Sequence, residues 1–272
     1  MKMFSRRLQQ PDKGWQRAFS SLRQRNFRLY WFGQMISLMG TWMQTVGQAW
    51  LVLELTHSAE QLGLVGALQF LPVLLFSIFG GVFADRWPKQ RVLLITQSIA
   101  SVQAFLLWIL VITGSVQPWH IYILAIVLGL TNSLDQPTRA AFAVEMVGRE
   151  DLPNAVALNF SLQNLTRIIS PGIAGILIAT LGTPPLFLLN ALSFLAVIVA
   201  LALIDSRKLH VQVLPTDGTG ARQSSWQSLR EGTDYVRKTL AVALLTVVAG
   251  WYSSSARTSM FSFPSSPQMC CT

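Results

Sequence analysis

Six apolar runs of similar length recur along the chain, at about 29–53, 62–84, 92–113, 120–139, 155–180 and 185–204, with short polar breaks between them. Roughly 20 residues rising about 1.5 Å each cross the hydrocarbon core as a helix, so the pattern predicts six crossing helices. A seventh run, 240–252, reaches about half that length and predicts an incomplete helix.

The polar positions inside these runs are ordered. In the first, Gln34, Ser37, Thr41, Gln44 and Gln48 are spaced three, four, three and four, which puts them on one stripe, and Gly33, Gly40 and Gly47 fall at intervals of seven on an adjacent face. Polar groups in a bilayer face protein or water, and small residues let a neighbouring helix approach. The stripe is therefore read as cavity lining, with interhelical hydrogen bonding as the alternative. In the fifth run Asn159, Gln163, Thr166 and Ser170 share a face, and Arg167 lies at its edge near mid-membrane. An arginine at that depth marks a functional site or, alternatively, a structural ion pair or carbonyl clamp. The fourth run ends in NSLDQPTR, with Asn132, Asp135 and Arg139 on one side, and is followed by the loop GREDLPN.

Charge orients the helices. The 272 residues are 51% hydrophobic and 12% charged, a membrane-protein composition. A net charge of +9 suggests nucleic acid until the basic residues are placed. Eight of 21 Lys and Arg precede the first run, three lie between the second and third, two in the next break on that side, and six between Asp205 and Leu240. The breaks at 55–61, 114–120 and 182–185 have none. This one-sidedness makes the basic side cytoplasmic, excludes nucleic acid as the partner, and predicts a multi-pass protein of the inner (plasma) membrane with its N-terminus in the cytoplasm. Residues 1–28 read as a cytoplasmic basic arm, a short amphipathic helix on anionic lipid or alternatively a regulatory arm. Residues 29–204 form the six-helix transmembrane bundle, and 205–239 a cytoplasmic linker with a surface helix. The incomplete seventh helix at 240–252 precedes an aberrant polar tail, 253–272.

The break between the second and third runs, GGVFADRWPKQRVL, carries the strongest motif. Gly81, Asp85, Arg86, Lys89 and Arg91 resemble, in identity and spacing, the loop between helices 2 and 3 of the major facilitator superfamily, with Pro88 where that family often has a second glycine. Ser170, Pro171, Gly172 and Gly175 resemble in part the Gly-Pro motif on helix 5 of export antiporters in the same superfamily. RNFRLYWFGQ and REDLPNAVALN look most like the branch of enterobactin-type siderophore exporters and macrolide efflux pumps.

The resemblance implies an all-α integral membrane fold, the N-terminal six-helix bundle of a major facilitator fold, and reads the chain as a truncated or frame-shifted relative of a twelve-helix transporter. It implies export of a siderophore- or drug-like molecule by alternating access, proton-coupled in full-length relatives. The alternatives are a non-transporting membrane remnant and an importer of the same fold. Asp85, Arg86, Asp135 and Arg139 meet at one membrane level and read as an inner latch, or as solvated helix ends. Partners are membrane lipid, a small-molecule substrate, and a second six-helix half or self-association. The two cysteines are adjacent at the end, and the three histidines lie outside the runs or at their ends. The expectation is accordingly no enzyme, no cofactor and no metal.

Overall fold

A computed structural model of the chain describes residues 20–204, the side chains of 77–86 and 149–150 excepted. Residues 1–19 of the basic arm, the linker, the seventh run and the tail lie outside the described residues. Among the described residues there are six helices and no strand.

After a 3₁₀ turn at Ser20–Arg23, helix α1 runs Arg25–Thr56 and stops at His57, whose left-handed backbone (φ 50) returns its N–H to the Leu53 carbonyl. Helix α2 is Ala59–Arg86, with Pro72 inside it, and α3 is Lys89–Ile112, capped by Pro88. Asp85 and Arg86 thus close a helix, and the break between α2 and α3 shrinks to Trp87 and Pro88. The next helical run, Pro118–Leu181, opens with a capping box in which Gln117 and His120 each accept the other's backbone N–H. Gly148 interrupts it with φ 71 and ψ −179, so the run is two helices, α4 (118–147) and α5 (149–181). Helix α6 is Pro184–Ala202.

The fourth helix therefore does not end at NSLDQPTR, and GREDLPN is not a loop. Two features carry the helix past Pro137. The Thr138 hydroxyl bonds the Leu134 carbonyl one turn back, and Phe142, Ala143, Met146 and Val147 continue a buried apolar face at helical spacing. Pro153 is the fifth residue of α5, at the very start of its hydrogen-bond ladder, so its missing N–H costs only a single bond near the helix end. Only Gly148 breaks the path, in a backbone region that is essentially closed to side-chain-bearing residues. Replacing Gly148 by alanine is expected to destabilise the protein by about 1–3 kcal/mol, read as a lower midpoint of thermal unfolding in detergent. An unchanged midpoint would show that the elbow tolerates another geometry.

Among the described residues four segments are long and apolar enough to cross a membrane: Ala59–Phe76, Lys89–Ile112, Asp151–Leu181 and Pro184–Ala202. Helices α1 and α4 fall short of that apolarity because they carry the polar stripe and the Asn132–Arg139 cluster.

Sequence neighbours α1 and α2, or α2 and α3, touch little. Instead α1 lies along α6 through the glycine row. A Cβ on Gly33 would sit 2.9 Å from the Ala200 Cβ, and one on Gly47 would sit 2.7 Å from Leu186 Cδ1. Helix α4 approaches α2 in the same way, with Gly129 against the Gln69 carbonyl and Pro72. Met43 of α1 packs with Ala174 of α5, Ala100 of α3 with Leu128 of α4, and α3 and α6 meet along their lengths. Exchanging α1 with α4, α2 with α5 and α3 with α6 leaves this set of pairs unchanged, the signature of an inverted three-helix repeat.

Candidate functional site

Three polar assemblies stand out from the apolar packing. The first is at the end of the bundle that carries the basic residues. Asp135 on α4 is 6% exposed and accepts hydrogen bonds from Thr96 Oγ1 (2.7 Å) and Gln97 Nε2 (2.8 Å) of α3. It also pairs with Arg139 one turn along its own helix, and Arg139 interacts in turn with the buried Tyr30 hydroxyl of α1. A second pair, Lys89 Nζ to Glu145 Oε1 at 2.7 Å, joins the start of α3 to the end of α4. So Asp135, Arg139 and Lys89 are brought into contacts that tie α3 to α4, while Arg91 is exposed. The side chains of Gly81, Asp85 and Arg86 lie outside the described residues. Sequence reading missed Thr96, Tyr30 and Glu145. Glu145 could have been found by following the apolar period of Phe142 and Met146 beyond Pro137.

The second assembly is the centre of the bundle. Asn190 Nδ2 of α6 donates to Gln44 Oε1 at 2.7 Å, Gln44 Nε2 donates to Gln103 Oε1 of α3 at 3.1 Å, and Ser193 Oγ donates to Asn190 Oδ1 at 3.0 Å. Gln34, Ser37 and Gln48 are buried as well, and Thr41, half-buried, returns its hydroxyl to the Ser37 carbonyl. Within the described residues, Gln44 thus works as a cross-link among three helices. Asn190 gave no signal in sequence because it stands alone in an apolar run.

The third assembly is on α5. Thr166 and Ser170 are buried and Asn159 half-buried, whereas Gln163 and Arg167 are exposed. The Arg167 guanidinium lies 5.6 Å from the ring centroid of Trp42 on α1, within cation–π range. Pro171 is half-buried, and Gly172 and Gly175 meet nothing within 4 Å, as do Gly63 and Gly66 on the symmetry-related α2. Insertion scales put a cation at mid-membrane at about 2.5–3.5 kcal/mol against hydrocarbon, so this exposed face of α5 suits a polar phase or protein better than lipid.

The N-terminal turn is fastened to the elbow between α4 and α5. Ser20 Oγ donates to Asp151 Oδ1 (2.9 Å), Ser21 Oγ to the Asp151 carbonyl (3.1 Å), and Gln24 Nε2 to the Val147 carbonyl (3.1 Å). Asp151, in the first turn of α5, also suits the positive end of that helix.

Residues 16–262 match the family of transmembrane secretion effectors. The chain is a major facilitator superfamily protein. Similar proteins include the staphyloferrin A transporter of Staphylococcus aureus, 31% identical over 177 residues, which are 64% of this chain and 45% of that protein. The macrolide efflux protein A of Streptococcus pyogenes is 23% identical over 226 residues, 83% of this chain and 55% of that one. An enterobactin exporter of Shigella boydii is 30% identical over 156 residues, 57% and 38% respectively. This major facilitator protein spans about half the length of the curated relatives it matches. The motif from Gly81 to Arg91 and the wording of the α1 and α5 starts had indicated this superfamily and this branch. The inverted repeat seen in the helix pairs is a form of internal symmetry found in such transporters. As a member with several apolar spans, the chain is a multi-pass membrane protein of a small-molecule transport family.

Proposed function

We propose that this chain forms one half of an exporter in the bacterial inner membrane, with its N-terminus in the cytoplasm, which moves a siderophore- or drug-like molecule outward by alternating access. In this reading the outward movement is coupled to proton entry once a second half completes the transporter. The observation that carries the reading is the α5 face at mid-depth, where Gln163 and Arg167 are exposed on a membrane helix. Such a face suits a hydrated path between two bundles. The Gly63, Gly66, Gly172 and Gly175 positions, open on the symmetry-related α2 and α5, suit close approach by a second six-helix half or a second copy. In this reading Asp85 and Arg86 join Asp135, Arg139 and Lys89 as the inner latch. Gln34, Ser37, Thr41, Gln48, Asn159 and Thr166 border the path, and the Ser170–Gly172 turn with Gly175 sets the export direction. The basic side of the bundle supports this orientation.

The test is efflux in a cell stripped of its own exporters, with this chain expressed alone and beside the second-half helices of a relative. Retained label is expected to fall only in the paired case, and reporter fusions at Ser58, Gln117 and Thr183 are expected to lie outside. Label accumulating in the paired cells would reverse the direction, unchanged retention would remove the transport role, and a reporter at Lys89 found outside would invert the orientation.

A further inference from the structure

We propose that Gln34 of α1, Gln97 of α3 and Arg139 of α4 form a buried water site inside the six-helix bundle, and that the bound water ties α1 to the Asp135 cluster. The site stands apart from the α5 face and is independent of the direction of transport.

Gln97 is 2% exposed and gives its Nε2 to Asp135 Oδ1 at 2.8 Å. An ionised carboxylate only accepts, so the sense of the amide is fixed and Gln97 Oε1 is turned away from Asp135. Arg139 spends its Nε on the other oxygen of the same carboxylate, which leaves Nη1 beside it. Gln34, 8% exposed, lies on the α1 stripe one turn beyond Tyr30, whose hydroxyl meets Arg139, and before Gln44, which bonds Gln103 of α3. It therefore faces the same interior, at the level of Asp135. Gln34 Oε1, Gln97 Oε1 and Arg139 Nη1 are all buried, and none has a partner among the described residues.

Buried polar groups of native proteins are almost always paired, and ordered water serves where side chains and backbone do not reach. The three atoms are one donor and two acceptors. A single water satisfies them all, accepting from Arg139 Nη1 and donating to each amide oxygen, and three such bonds are typical of a buried water. A cation suits the place less. Arg139 already balances the Asp135 charge, and its Nη1 would repel a second positive group at this depth. With the water bound, α1 is joined to α3 and α4 at the level of Asp135, as it is joined to α3 and α6 through Gln44 further along.

Hydroxyl-radical labelling of the full 272-residue chain in lipid nanodiscs, in heavy-oxygen water, tests the site, because radicals born from a bound water oxidise the buried side chains beside it. Tyr30, 2% exposed, should take up label several-fold faster than Phe187, which is buried in apolar packing, and Gln34→Met should slow that uptake. Thermal unfolding in detergent is the second readout. Gln34→Met nearly keeps length and volume, and its midpoint should fall by about 2–4 °C, the effect of one lost hydrogen bond in a chain of this size. Were the Gln34 carbonyl unpaired, the same change would raise the midpoint. Because Gln34 and Gln97 share one water, the double variant with Gln97→Met should fall by less than the sum of the singles, although no direct bond joins the two residues. Tyr30 as protected as Phe187, a raised midpoint for Gln34→Met, or additive falls in the double variant would each overturn the site.

Discussion

Replacing Gly40 by alanine is expected to cost this protein about 3–5 kcal/mol, from overpacking together with lost buried hydrogen bonds. A methyl at that position would meet the Ser193 hydroxyl, stand 2.6 Å from Asn190 Oδ1 and lie 3.0 Å from the Asn190 Cα. Rotating Ser193 could relieve the first clash. The Asn190 backbone has no such freedom, so α6 itself must retreat from α1. Retreat stretches the 2.7 Å bond from Asn190 to Gln44, and with it the link from Gln44 to Gln103, which leaves buried amides without partners. Against a typical net stability of about 5–15 kcal/mol, that is a large fraction. Gly63→Ala is the control, because nothing stands within 4 Å of that position and a helical alanine is, if anything, favourable. Thermal unfolding in detergent should show a marked fall for Gly40→Ala and none for Gly63→Ala. If the two variants melt together, α1 and α6 are not locked by this close approach.

Removing the Asp135 carboxylate should be comparably severe, about 3–5 kcal/mol for Asp135→Ala, because it strands a buried cation. Asp135 accepts from Thr96 and Gln97 across the α3–α4 boundary and pairs with Arg139 on its own helix. Without it Arg139 keeps the Tyr30 hydroxyl but loses its counter-charge. Removing both charges should therefore hurt less than removing one, since a buried pair often adds little beyond an apolar replacement. The double variant Asp135→Ala with Arg139→Met should be more stable than Asp135→Ala alone. A double variant as unstable as the sum of the singles would show that the pair does not interact energetically.

Helix count, family and the close-packing glycine row were legible because each depends on local period and spacing. Gly33, Gly40 and Gly47 could be read as a contact face from their interval of seven alone. What lies opposite them could not, since Ala200, Asn190 and Leu186 come from a mostly apolar segment about 140–170 residues further along the chain. The polar stripe on α1 shows the same limit. A row of glutamines is satisfied equally by water or by Gln103 and Asn190, and only the fold brings those two amides to Gln44. The error at α4 had another cause. Pro137, Pro153 and the charges between them imitate a loop, yet hydroxyl back-bonding and a continuing apolar face keep the chain helical up to Gly148, whose positive φ breaks it.

Of the six described helices α1 is made first, and its contacts are completed only when α6 arrives. Ser20 waits for Asp151, 131 residues later, and Gln44 for Asn190, 146 residues later, while α2 offers α1 little to lean on. At roughly 5–20 residues per second of synthesis, the interval is on the order of ten seconds, far longer than helix formation itself. Through that interval α1 carries Gln44 into the bilayer with Gln103 of α3 to meet it but with Asn190 of α6 still unmade. Until the chain delivers α6, the polar stripe of α1 depends on earlier helices and on water for its hydrogen bonds, so completion of this bundle is tied to its last helix.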